Sequence, residues 1–249
     1  MSSSNFQYLK KYKLLTIFLL VIIFIHLVAP MKMVEGLSNK IQNQVLIGVG
    51  ADYQLYTYMG NTWDPIKIPK GLAKNPILLA ITLGADGNLY AAANDFHLYK
   101  SSKGGWIKPK QPSATEVIGI ATEGNQLVLV GQDYKLHLYN PSSGTLTPMP
   151  GETGPVRSVV SFQGDTFGVG KDNKVYKWLN NKWASYDPKA TLIYLGVYNG
   201  QLMGVGTDKK VYAYGGKPGQ WKEIPGNKNT EFLSIYGMDH SVYLKFGFH

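Results

Sequence analysis

Aspartate residues recur along the chain at a spacing that could serve binding chemistry. Five of them stand 36 to 43 residues apart, and each is followed three residues later by Leu or Val. They are Asp52, Asp95, Asp133, Asp172 and Asp208. A carboxylate can accept hydrogen bonds from sugar hydroxyls, and it can equally cap a turn by binding nearby backbone N–H groups. We favour the turn cap, because Val-Gly precedes four of the five, and the Gly fits a tight hairpin with a backbone position at positive φ.

Two sets of aromatic residues follow the same spacing. The first is a Trp in four of the five units, with Thr145 in its place in one unit, and the second lies six residues after the Asp. The predicted ligand-binding residues are Trp63, Trp106, Trp183, Trp221, Tyr58, Tyr139, Trp178 and Tyr214. An aromatic ring offers a flat apolar face to a sugar, and Trp adds one donor. The same residues could instead pack in the core, which we favour for the first set, whereas the second set fits the core and the rim equally well.

The elements that would position these residues are short strands. Each unit holds an apolar run, at 77–82, 117–122, 156–161, 192–197 and 232–237, then a turn, a second strand, the Asp, a third strand and the Trp strand. No part of residues 44–249 keeps a 3.6-residue period, so helices are not expected there. About 40 residues and four strands per unit are typical of a β-propeller blade. The sequence therefore predicts an all-β, five-bladed propeller of four-stranded antiparallel blades over 44–249.

The closure of the ring has two candidate strands. Four blades lie within 77–224, and the fifth would join the run at 232–237 to the strands near 52–68. Two segments, 44–50 and 241–247, both fit the second strand of that blade. The sequence leaves open which segment pairs and which lies outside the sheet.

The first 43 residues have a different composition. Residues 1–13 are basic, with Lys10, Lys11 and Lys13, and Leu14 to Ala29 is an uncharged apolar run apart from His26. Residues 14–36 are thus predicted to be a hydrophobic helix, either a signal peptide cut after Gly36 or an uncleaved anchor through 14–34, and 37–43 a linker. Either reading places the propeller outside the cytosol, secreted or on a single-pass membrane protein.

Composition excludes several kinds of chemistry. The chain has no Cys, so it has neither a disulfide nor a thiolate site, and its His residues share no repeat position, so no metal is expected. Arg157 is the only arginine despite a net charge of +9, which argues against specific nucleic-acid recognition. The five apolar runs carry no carboxylate, so a glycosidase centre on the innermost strands is not expected. We predict no enzyme activity and no cofactor.

The repeated stretches resemble the tectonin and tachylectin-like propellers. Three of them read Gly-Val-Gly-x-Asp, then a hydrophobic residue, Tyr and a Trp, in LIGVGADYQLYTYMGNTW, FGVGKDNKVYKWLNNKW and LMGVGTDKKVYAYGGKPGQW. The unit with Asp95 lacks the Val-Gly, and the unit with Asp133 lacks the Trp. The resemblance implies sugar binding on or between blades.

We therefore expect a lectin-like module whose partners are glycans or glycoproteins. The alternative is a scaffold that presents a protein-binding face in a membrane-associated assembly. Exposed aromatic residues in equivalent pockets would favour the first function, and buried Trp residues would favour the second.

Overall fold

The computed structural model describes residues 43–67, 77–103, 105–109, 116–151, 154–226 and 230–248. The predicted N-terminal helix and residues 37–42 of the predicted linker lie outside these residues. Within the described ranges, no helix is long and apolar enough to span a bilayer.

The described residues form five four-stranded antiparallel sheets, as predicted. Blade 1 holds β4 (Leu78–Leu83), β5 (Leu89–Ala93), β6 (Leu98–Ser102) and β7 (Gly105–Ile107). Blade 2 holds β8 (Val117–Glu123), β9 (Gln126–Gly131), β10 (Leu136–Tyr139) and β11 (Leu146–Pro148). Blade 3 holds β12 (Val156–Phe162), β13 (Asp165–Gly170), β14 (Val175–Leu179) and β15 (Lys182–Asp187), and blade 4 holds β16 (Leu192–Tyr198), β17 (Gln201–Gly206), β18 (Val211–Tyr214) and β19 (Trp221–Glu223). We refer to the four strands of a blade, in this order, as A to D.

Blade 5 closes the ring with strands from both ends of the propeller. Its order is β20 (Phe232–Asp239), β1 (Gln44–Gly50), β2 (Leu55–Tyr58) and β3 (Trp63–Pro65). The antiparallel register of β1 and β20 runs from Gln44 opposite Asp239 to Gly50 opposite Phe232. The segment 44–50 therefore takes the strand B position.

The competing segment, 241–247, is not a strand. Most of it lies in a short helix, α1 (His240–Lys245), which corrects the expectation that the body has no helix. Its Tyr243 and the following Phe248 are buried in a cluster that includes Ile47 of blade 5 and Leu89 of blade 1. Lys245 donates from Nζ to the carbonyl of Gly87 at 3.1 Å. The apolar residues of this segment are buried at the junction of blades 5 and 1, and the segment does not pair in a sheet.

The repeated Asp residues cap the B–C hairpins, as favoured from the sequence. In every blade the Asp accepts the backbone N–H of the residue two positions later, at 3.0–3.3 Å. In four blades its other oxygen accepts the hydroxyl of the Tyr four positions later, at 2.6–2.8 Å. Blade 2 has His137 at that place.

The residue at positive φ is not the Gly before the Asp but the residue after it. Gly50, Gly131, Gly170 and Gly206 do not have positive φ, whereas the residue following each Asp has φ between 61° and 66°. This is a three-residue hairpin loop in which the last residue is left-handed. The Gly is needed for a different reason, since a Cβ at Gly170 would lie 2.5 Å from Oδ1 of Asp172 and 2.7 Å from the ring of Tyr176.

These hairpins also join neighbouring blades. In four of the hairpins the carbonyl of the left-handed residue accepts the N–H of the first strand A residue of the next blade, as from Val117 to Phe96 at 2.7 Å and from Leu192 to Asn173 at 2.9 Å. The hairpins and the D–A connections therefore share one face of the propeller, which we call the Asp face. It comprises the five loops 51–54, 94–97, 132–135, 171–174 and 207–210.

Candidate functional site

The two predicted aromatic sets lie opposite each other on strands C and D. Tyr58 pairs with Trp63, Trp178 with Trp183, and Tyr214 with Trp221. Their ring centroids are 5.0–5.1 Å apart. Trp106 faces Ser101, and Tyr139 faces Leu146. Leu146, and not Thr145 as predicted, therefore holds the Trp position in blade 2.

The Trp positions are matched by small residues on strand B. A Cβ at Gly168 would lie 2.8 Å from the Trp183 ring, and a Cβ at Gly204 would lie 3.2 Å from the Trp221 ring. In blade 2 the large residue Leu129 replaces this Gly, and the smaller Leu146 replaces the Trp. The first Gly of each Gly-Val-Gly motif therefore makes room for an indole, which gives the Trp repeat a structural role.

Burial separates the eight predicted residues into two groups. Trp63, Tyr139 and Tyr214 are only 7%, 2% and 7% exposed, so their rings lie in the core and offer no free face to a ligand. Tyr58, Trp106, Trp178, Trp183 and Trp221 are partly exposed. Of these, Trp183 alone lines one of the two cavities described below.

The pocket that contains Trp183 lies at the Asp face of blade 3, beside the residues that lead into its strand A. Its volume is about 370 Å³. We call it the Trp183 pocket, and it is lined by Gly154, Pro155, Val156, Gly170, Lys171, Asp172, Tyr176 and Trp183. It thus combines two aromatic rings with one carboxylate and one ammonium group.

The polar groups of the pocket are held in place by hydrogen bonds. Asp172 accepts the N–H of Lys174 on Oδ1 at 3.1 Å and the hydroxyl of Tyr176 on Oδ2 at 2.8 Å. This bond to Asp172 and burial raise the pKa of Tyr176, so the phenol keeps its proton and stays a donor at neutral pH. The backbone of Lys171 is fixed by Pro155 and Arg157, and its Nζ lies 4.2 Å from the ring centroid of Tyr134. The carboxylate oxygens retain lone pairs that can accept from a ligand.

The first residue of strand A explains why this pocket is open in blade 3. In blade 5 that residue is Phe232, whose ring centroid lies 4.3 Å from that of Trp63 and 5.9 Å from that of Tyr56. The equivalent residue of blade 3 is the smaller Val156, which leaves the space between Trp183 and Tyr176 unfilled.

In blade 4 a carboxylate engages the Trp instead. Asp187 is fully buried and accepts Nε1 of Trp221 at 2.9 Å and the N–H of Gly219 at 2.6 Å. Burial alone would raise the pKa of Asp187, but the hydrogen bonds from Gly219 and Trp221 outweigh it and lower that pKa. Asp187 therefore ties the end of strand D in blade 3 to the corresponding strand in blade 4.

A second cavity of about 170 Å³ lies among the inner strands. Its polar side chains are neutral and include Gln44, Thr82, Thr122, Ser161 and Tyr236. Tyr194 of blade 4 reaches across to blade 2 and donates from its hydroxyl to the carbonyl of Ile120 at 3.3 Å. The lining residues include no Asp or Glu. Across the described ranges, no three His, Asp or Glu side chains are grouped so that they could hold a metal ion.

The residues at the left-handed position of the hairpins are not among those predicted from the sequence. Three of the five are aromatic, namely Tyr53, Phe96 and Tyr134, and the other two are Asn173 and Lys209. Their position directly after the repeated Asp was visible in the sequence. The sequence instead predicted the positive φ at the Gly that precedes each Asp, so the residue after the Asp was not singled out.

Comparison with known proteins identifies no family for this chain. No family model matches the chain, and no curated protein matches it. Solved structures similar to it include the WD40 repeats of RRP9 (15% identity, TM-score 0.46), the extracellular domain of the putative one component system BT4673 from B. thetaiotaomicron (15%, 0.47) and YCF48 bound to D1 peptide (14%, 0.44). The matches cover 74%, 76% and 72% of this chain, and 58%, 34% and 62% of those chains. The resemblance to tectonin and tachylectin-like repeats stays a prediction.

Proposed function

We propose that the protein is a carbohydrate-binding propeller without enzyme activity and that the Trp183 pocket is its sugar site. The observation that carries this proposal is the presence of an indole, a phenol, a carboxylate and an ammonium group in one cavity of about 370 Å³. Ligand pockets usually combine aromatic walls with a few placed polar groups. The rings of Trp183 and Tyr176 can contact the apolar face of a sugar, while Asp172 accepts from its hydroxyls.

The sugar site can be tested by giving blade 3 the residue that blade 5 has at the first position of strand A. Val156→Phe places in blade 3 the residue that blade 5 carries as Phe232, so it should fill the pocket while leaving the polar groups in place. We expect the full-length protein to bind a defined set of sugars on a glycan array and the V156F variant to lose that binding. Lys171→Ala, on an exposed side chain, should weaken binding with little effect on folding.

The control is the same change at a position that is not in the pocket. Val117 is the equivalent first residue of strand A in blade 2, so V117F reports the cost of a Phe at this position apart from the pocket. Circular dichroism and a denaturant midpoint establish that each variant is folded. Sugar binding that V156F leaves unchanged would refute the assignment of the pocket, and a folded protein that binds no sugar would refute the function.

We further propose that the propeller is displayed outside the cytosol. The support is the basic residues 1–13 followed by the apolar run Leu14 to Ala29. A protease added to intact cells should remove an epitope tag at the C-terminus. A tag that stays protected until the cells are lysed would contradict this location.

The second candidate function is a scaffold, and one observation supports it. Met59 in a C–D turn and Leu244 in α1 are 65% and 53% exposed, and both lie on the face opposite the Asp face. Exposed apolar residues of this kind are typical of protein contacts when they group together. If this face binds a partner, M59S/L244S should reduce the sedimentation coefficient of the native assembly while sugar binding stays as in the wild type.

A further inference from the structure

The Asp face carries aromatic side chains where the backbone disfavours them. Tyr53, Phe96 and Tyr134 have φ of 64°, 61° and 64°. A bulky residue at such a φ is unusual, and Gly or Asn takes this conformation at lower cost. The chain itself shows this preference, because the A–B turn of blade 1 repeats the same hydrogen bonds with Gly87 at the left-handed position, and the hairpin of blade 3 has Asn173.

All three rings are partly open to solvent. Tyr53 is 47% exposed, and Phe96 and Tyr134 are partly exposed. They belong to the consecutive blades 5, 1 and 2, so together they form an arc over half of the Asp face, which we call the aromatic crescent. Residues in such a strained conformation tend to cluster at functional positions.

The Tyr134 end of the crescent adjoins the Trp183 pocket. Lys171 lines the pocket, and its Nζ lies 4.2 Å from the ring centroid of Tyr134. The carbonyl of Tyr134 accepts the N–H of Val156, which is itself a pocket residue. In the same way the carbonyl of Phe96 accepts the N–H of Val117 in blade 2, so adjacent hairpins are linked through the backbone.

The charges along the crescent are balanced. Each aromatic ring follows an exposed Asp, at positions 52, 95 and 133. Lys108 lies 3.3 Å from Asp95, and Lys135 lies 4.0 Å from Asp133. Such a surface offers rings and hydrogen-bond acceptors without a strong net charge, which suits a neutral ligand rich in hydroxyl groups.

We propose that the aromatic crescent extends the Trp183 pocket into a binding site for a linear, neutral oligosaccharide. This inference rests on the proposed function, since the pocket holds one end of the chain. Successive sugar units then contact Tyr134, Phe96 and Tyr53 in turn. Several weak contacts on one ligand raise its affinity through effective concentration, without any single tight site.

The test compares ligand length with two sets of variants. The probes are glucan, mannan and galactan ladders from the monosaccharide to the hexasaccharide, with a heparin hexasaccharide as the anionic probe, measured by calorimetry on the full-length protein. The affinity of the wild type should rise with length on one neutral ladder. In Y53N/F96N/Y134N the hexasaccharide affinity should fall about 100-fold, the lower end of typical avidity gains. In Y53N/F96N, which keeps the Tyr134 ring beside Lys171, monosaccharide affinity should be unchanged while hexasaccharide affinity still falls.

The stability of the triple variant distinguishes a binding role of the three rings from a structural one, because a structural role predicts that the variant is less stable than the wild type. Because Asn tolerates the left-handed conformation better than an aromatic residue, the triple variant should be at least as stable as the wild type in denaturant. Lys209→Asn, at the same hairpin position in blade 4 outside the crescent, is the matched control and should leave hexasaccharide affinity unchanged.

Each outcome decides between the two proposals. Monosaccharide binding that V156F abolishes, with no gain from longer chains, overturns the crescent and leaves the sugar site in place. Hexasaccharide affinity that Y53N/F96N/Y134N leaves unchanged also overturns the crescent, as does preference for the heparin probe. Failure of every ladder at every length overturns the crescent and the sugar site together.

Discussion

Replacing Gly170 by Ala should break the Asp–Tyr cap that shapes the Trp183 pocket. The added Cβ would lie 2.5 Å from Oδ1 of Asp172 and 2.7 Å from Cε2 of Tyr176, so both side chains would have to move. Forcing extra atoms into a packed site costs about 1–3 kcal/mol. The lower entropy of the unfolded chain with Ala offsets about 0.4–1 kcal/mol of that cost. We therefore expect a net loss of about 1–2 kcal/mol.

Gly131→Ala in blade 2 is the matched control for that change. Its Cβ would meet Oδ1 of Asp133 at the same 2.5 Å, but the next side chain, Nε2 of His137, would lie at an ordinary 3.5 Å. Neither glycine has a positive φ, so the two variants differ mainly in the Tyr ring. Urea unfolding should show a larger loss of stability for G170A than for G131A.

Measuring G170A in the Asp172→Ala background shows how much of the lost unfolding free energy comes from the contact with Asp172. With the carboxylate absent, G170A should lose part of its effect, which a double-mutant cycle measures as a coupling energy. G170A should also weaken sugar binding, because Asp172 and Tyr176 line the pocket. Equal losses in G170A and G131A, or a cycle without coupling, would refute the close-approach explanation of the repeated Gly.

Three further predictions concern the stability of the ring. The hydrogen bond to Asp52 raises the pKa of Tyr56 from 10.0 to about 12, and burial together with the hydrogen bond to Asp208 raises the pKa of Tyr212 to the same value. The two tyrosines therefore stabilise the fold fully below pH 10 and lose this contribution as the pH rises to about 12. Denaturant midpoints should fall over that interval, and less steeply in Y56F. Asp187→Ala leaves Trp221 Nε1 and the N–H of Gly219 without their acceptor and should cost about 2–5 kcal/mol in urea unfolding, whereas an unchanged midpoint would contradict the tie between blades 3 and 4. Deletion of 240–249 removes the buried Tyr243 and Phe248 and should lower the thermal midpoint, so an unchanged melting curve would show that the junction of blades 5 and 1 does not need α1.

The fold was predictable because the repeat appears five times. Each apolar run became an inner strand, and each Asp became a cap, since the hairpin geometry requires the same local hydrogen bonds in every blade. The closing strand was not predictable, because 44–50 and 241–247 share a similar apolar pattern. Tertiary packing decided between them, with Tyr243 and Phe248 taking places in the cluster of blades 5 and 1.

The candidate site was predictable only in part. The sequence singled out Trp183, which lines the pocket, but it grouped Trp183 with Trp63, which is buried against Phe232. The exposure of a strand D indole depends on the size of the first residue of strand A. For Trp183 that residue is Val156, roughly 30 positions earlier, and for Trp63 it is Phe232, near the other end of the chain. A single sequence does not show that contact before the register of strand A is known.

The comparison of the blades with one another separates structural from functional positions. Gly168 recurs as Gly48 and Gly204, and at each of the three a Cβ would press on the strand D indole and on the first residue of strand A. The first residue of strand A varies from Phe232 to Val156, and the left-handed hairpin residue varies from Asn173 to Tyr53, although the backbone is the same. At these positions the same residue type would satisfy the fold in every blade, yet the blades differ. Such positions can therefore change to suit a ligand. Both variable positions border the Trp183 pocket or the aromatic crescent, so the sites proposed here lie where the repeat departs from its own pattern.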